Sequence, residues 1–174
     1  MDAAALDIDT SHDPVDWTAL NAAVDRWRGA LIRRFAEAET AVSETLVTLQ
    51  SVPKRGKTIV LPHLTGQRFE QLALAIAEAG PFGAEGKAGR AALAAFRSHE
   101  NLRPLLCHGK AKVTADRRGH WQLRLDMLHF SAVGKEHRRH VVDQQEAHEL
   151  LSTIGSATQR LTSLLGQLRR AIET

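Results

Sequence analysis

The segment "RPLLCHGKAK", residues 103–112, sets an arginine, a cysteine and a histidine within six positions and follows them with two lysines. Arginine presents a planar fork of donors that matches the oxygens of a phosphate or a carboxylate. Histidine titrates near neutrality and can take or give a proton. Brought together, Arg103 and His108 would hold a phosphodiester and move the proton of a neighbouring hydroxyl, with no metal required. Plainer roles are also open. Arg103 can pair with Glu100 or another acid, and His108 can close a helix, its ring at the last carbonyls and Gly109 as a left-handed cap. Cys107 reads as a small buried hydrophobe rather than a nucleophile, because no Asn or Asp completes a recognisable triad.

The surroundings of this segment are basic. Residues 101–140 hold nine Lys and Arg against three acids, whereas residues 1–50 hold four Arg against nine acids. An overall formal charge of +3 therefore hides a polarised chain, and the basic part is either a solvated face or an anion-facing surface. Lys110, Lys112, Arg138 and Arg139 are the candidate contacts to phosphate or to a partner. "HRRH" places His137 and His140 three apart in what reads as a loop, but zinc would need further ligands and two arginines oppose a cation. "GPFGAEGKAG" lacks the Lys-Ser/Thr ending and the preceding strand of a phosphate-binding loop. No metal and no cofactor is expected. The single cysteine rules out an intrachain disulfide and fits a reducing compartment, so a cytoplasmic location is expected. No apolar run approaches the roughly 20 residues of a membrane span, and the acidic first fifteen residues do not resemble a signal peptide.

Apolar residues recur at steps of three or four from Trp17 through Val24, Trp27, Leu31, Phe35 and Val42 to Leu49, predicting one long helix with a continuous apolar face. Asp13, Pro14 and Asp16 suit its start. Trp17 and Trp27 both fall on the stripe and read as core. Two prolines and two glycines break the pattern over residues 51–66. A second helix follows, capped by Thr65 and carrying Phe69, Leu72 and Ile76 inward. A third starts near Gly89 and runs through Leu93, Phe96 and Leu102 toward the motif. Alternation at Trp121, Leu123, Leu125 and Met127 marks a strand, with "KAKV" as its partner in a hairpin over about residues 110–130. "SAVGKEHRRHVV" reads as a loop, and Asp143 with Glu146 forms a capping box ahead of a last helix through Ile154, Leu161, Leu165 and Leu168. The expected fold is all-α: a single domain over residues 1–174, a four-helix up-down bundle with a short β-hairpin between the third and fourth helices, residues 1–13 flexible.

This order of elements, with Arg103, four residues and His108 near the end of the third helix, resembles the HEPN superfamily of helical-bundle domains. Many of its members are RNA-cleaving toxins or defence nucleases, whose hallmark is Arg, four to six residues, then His. The resemblance covers the layout of residues 15–172, and in sequence it rests on "RPLLCHG". It implies a metal-independent ribonuclease of toxin–antitoxin or defence type, acting as a homodimer in which two motifs line one cleft. His108 would be the general base or acid and Arg103 the phosphate binder. The partners implied are RNA and a cognate protein, with no membrane. A non-catalytic bundle that binds a protein or nucleic acid through the basic 103–140 face is the alternative. One departure is evident: Pro104 stands where active members place a polar residue. Proline cannot donate to the carbonyl of Glu100, so the third helix must bend or restart near 103–104. In a straight helix five residues turn through about 500°, which leaves Arg103 and His108 about 140° apart.

Overall fold

The computed structural model describes residues 15–131 and 134–174. The expected roles of Asp13 and Pro14, and the expected flexibility of residues 1–13, lie outside the described residues. Helix α1 spans Trp17–Gln50 and is started by Asp16, whose carboxylate accepts the Ala19 amide at 3.0 Å. Its stripe is buried from Val24 to Leu49, as the three-to-four spacing demands. Trp17 is the exception. It lies about two turns before the buried stripe begins and is half exposed, which corrects its reading as core.

A 3-10 turn at Arg55–Thr58 leads to α2, Thr65–Ala75, and then α3, Lys87–Arg97. Thr65 is the first residue of α2 rather than its cap, and the helix begins without a side-chain cap bond. The expected long third helix is two helices. It stops at Arg97, turns through residues 98–101, and restarts as α4, Leu102–His108. Pro104 explains the restart. As the third residue of α4 it occupies a position whose amide has no intrahelical partner in any case. The Glu100 carbonyl that it cannot reach accepts the Arg103 amide at 3.2 Å instead.

After α4 the chain forms three antiparallel strands, β1 Lys110–Ala115, β2 Trp121–Ser131 and β3 Gly134–Asp143, in the order β1-β2-β3. Helix α5, Gln144–Glu173, follows directly, its start fixed by the expected Asp143–Glu146 capping box. The all-α four-helix bundle is therefore incorrect: five helices and a three-stranded sheet among the described residues make an α+β fold. From Gly134 onward the segment read as a loop is β3. Its sequence hides it because only Val142 on it is buried, while its other core-side positions are Glu136, Arg138 and His140. Main-chain pairing to β2 holds it straight where apolar burial does not.

The two long helices do not run up and down. Trp27 Nε1 donates to the Ala147 carbonyl at 2.7 Å, Thr158 Oγ1 to that of Arg34 at 3.4 Å, and Arg169 Nη1 to that of Ala41 at 3.2 Å. Those contacts ascend together along both helices, so α1 and α5 lie parallel. Trp27 also stacks obliquely on Trp121, ring centroids 6.1 Å apart, so one indole ties α1 to both the sheet and α5. One core cluster includes residues of all five helices and of β2 and β3. No helix among the described residues is long and apolar enough to cross a membrane.

Trp27→Phe keeps a ring in the junction but loses its donor. Its urea midpoint should fall by the equivalent of about 1–2 kcal/mol, with no loss of helix signal in circular dichroism.

Candidate functional site

Helix α4 carries both motif residues, and two side chains of α1 hold it in place. Arg28 Nη2 donates to the Leu106 carbonyl at 2.7 Å, near the C-terminal end of α4. Glu39 takes Arg103 edge-on: one carboxylate oxygen faces Nε and the other accepts Nη2 at 3.1 Å. The Glu39 side chain is 17% exposed and that of Arg103 38%, so the carboxylate is enclosed while the guanidinium still reaches solvent. Nη1 and its two N–H groups make no bond among the described residues, which leaves one edge of the fork for a second anion. Arg103 thus pairs with an acid, though not with Glu100, which faces Arg97 at 3.3 Å. Burial pushes the Glu100 carboxyl up, opposed by Arg97.

His108 is the last residue of α4 and is exposed, with no hydrogen bond or ion pair among the described residues. Its expected contact with the last carbonyls is absent there. Gly109 is not a left-handed cap either, since its φ of −68° and ψ of 135° are extended. The glycine is required by proximity: a Cβ would lie 2.4 Å from the Leu105 carbonyl oxygen, which already accepts the Gly109 amide at 2.8 Å. This tight exit turns the chain from α4 into β1 within one residue. Cys107 is exposed, which corrects its assignment to the core. No bond joins Arg103 to His108 among the described residues. One is tethered toward α1, and the other stands at the sheet end of a helix of seven residues.

Strand register sorts the remaining candidates. Lys110 and Arg139 both lie opposite Asp126, and Lys112 lies opposite Arg124, so these residues share the outward face of the sheet. Asp126 accepts from Arg124 and Arg139, each at 2.7 Å, and these bonds, that of Arg139 foremost, hold its carboxyl below the usual range. Arg138 does not belong with them. It lies opposite Met127 on the inner face and pairs with Glu136 at 3.0 Å. His137 and His140 also fall on opposite faces, which sets them apart as ligands for one ion. The chain matches no family model, and no curated protein or solved structure matches it significantly.

Glu39 carries no sequence signal as a site residue, because its partner lies 64 positions away and no local spacing announces the pair. Arg124 is visible only as a polar step in "WQLRLDM".

Two outcomes follow from this geometry. Gly109→Ala forces a methyl against a fixed carbonyl and should destabilise the fold by on the order of 2 kcal/mol in urea unfolding. His140, half-buried with Nε2 unpartnered among the described residues, has its imidazole held below the usual value by burial, with Glu146 opposing. The unfolded chain then binds a proton that the folded chain resists. This contribution is complete above the ordinary imidazole range and is lost as pH falls toward the depressed value. Between about pH 7.5 and about pH 5.5, His140→Gln should lose less stability than the parent protein, as measured by urea midpoints.

Proposed function

We propose that this chain is a HEPN-like domain that cleaves RNA without a metal ion, using His108 for proton transfer and Arg103 for phosphate, in a cytoplasmic setting. The observation that carries the reading is the divided guanidinium: Glu39 fixes one edge of Arg103 and leaves the other toward solvent, on the same short helix that ends in exposed His108. In such a reaction His108 takes the proton of a ribose 2′-hydroxyl as that oxygen attacks the adjacent phosphorus. The bond to the 5′-oxygen breaks, that oxygen takes up a proton, and a 2′,3′-cyclic phosphate is left. Arg103 stabilises the charge of the phosphorane. About 140° of helix rotation separates the two side chains, so a homodimer is the natural way to face the Arg103 of one copy toward the His108 of the other. A toxin or defence role, restrained by a cognate protein, follows from the family resemblance alone.

A second reading, binding without turnover, is favoured by one observation: no carboxylate among the described residues orients the His108 ring. Cleavage assays separate the two. With EDTA present, the parent protein should yield fragments ending in cyclic phosphate, His108→Ala should yield none, and Arg103→Gln should be slower by about 10²–10³-fold. Equal cutting by His108→Ala, or cutting that EDTA abolishes, refutes the first reading; salt-sensitive binding with no product establishes the second.

A further inference from the structure

We propose that the outward face of the three-stranded sheet is a binding surface for single-stranded nucleic acid, with phosphates on its cation rows and a base on Phe130. Alternation and register place Lys110 and Lys112 of β1, Arg124 of β2, and Lys135 and Arg139 of β3 on this one face. Five cations there face two carboxylates: Asp126, already shared by two of the cations, and Asp143 at the end of β3, which is engaged as the cap of α5. Such a surface repels proteins of its own sign and attracts a polyanion.

Phe130 makes the face more than a charged surface. Its ring is 71% exposed, the most exposed of the large apolar side chains among the described residues, while Phe35, Phe69, Phe82 and Phe96 are buried. It lies directly opposite Lys135 in the β2–β3 register, with Leu128, 42% exposed, two residues before it on the same face. An exposed aromatic ring on a sheet face, with a cation directly across from it, is the arrangement on which unstacked bases lie, and it offers nothing to a duplex whose base faces are covered. The surface begins at Lys110, two residues beyond His108, so a strand lying on it passes the end of α4. The binding surface itself stands on the sheet's own residues and does not require cleavage.

Fluorescence anisotropy with a labelled oligodeoxythymidylate of about twelve nucleotides, which lacks the 2′-hydroxyl that cleavage needs, read at several salt concentrations, tests the assignment. Lys110, Lys112 and Lys135 are exposed and form no ion pair among the described residues, so their joint replacement by Gln leaves the fold intact. The triple variant should lower the log–log salt slope by about 2, near 0.7 for each phosphate that no longer meets a lysine. Phe130→Ala should weaken binding about tenfold, equivalent to ~1.4 kcal/mol, with the slope unchanged. Because this probe cannot be cut, its binding is read independently of the cleavage assay on His108→Ala. The proposal is overturned if the lysine triple binds as the parent does, or if a duplex of the same length binds the parent protein as tightly as the single strand does. It is likewise overturned if Phe130→Ala converts a sedimenting dimer to monomer without touching affinity, because a second copy of this chain would then be the occupant.

Discussion

A guanidinium has two edges, and in this protein one of them is occupied from within. By holding Arg103 through Nε and Nη2, Glu39 fixes the rotamer of a long side chain that would otherwise sample many. The same carboxylate cancels part of the charge that a phosphate would feel. What results is an oriented donor pair rather than a strong point charge. On the proposed reading, the weight of anion attraction falls elsewhere, on the cation-rich strands that follow α4. Orientation and attraction would then be separate jobs, performed by different elements.

The helices that read most clearly from sequence are those whose burial is one-sided and continuous. Val24 to Leu49 on α1 and Ile154 to Leu168 on α5 each present an apolar stripe whose continuous burial outweighs the glycines within those helices, Gly29, Gly155 and Gly166. Trp121, Leu123 and Leu125 of β2 are equally legible because the core covers them fully. β3 is not, because the distal half of the β2–β3 ribbon reaches past the six residues of β1 and past most of the core, so its inner face can remain polar. Periodicity reports burial; it is silent about strands held by hydrogen bonds alone. The parallel course of α1 and α5 is likewise invisible, since no local pattern encodes direction between elements more than a hundred residues apart.

The candidate site divides along the same line. Arg103, His108, Lys110, Lys112 and Arg139 can be named from residue type and spacing, and the effect of Pro104 on the third helix follows from its missing amide proton. Glu39 and Arg28, which hold α4 against α1, cannot, for their bonds exist only after the fold brings distant segments together. Arg138 shows the cost of reading a strand as a loop. Adjacent residues in a loop can share a surface, whereas in β3 Arg138 and Arg139 must point apart.

β1 is an edge strand, six residues long, and its outer rim of amides and carbonyls has no neighbour within the sheet. Such a rim invites another copy to extend the ladder, the first step toward fibrous aggregates. Lys110 and Lys112 oppose that. Two copies laid edge to edge would bring like charges together at the spacing of adjoining strands, about 4.8 Å. The lysines thereby act as gatekeepers, keeping the rim from recruiting its own kind.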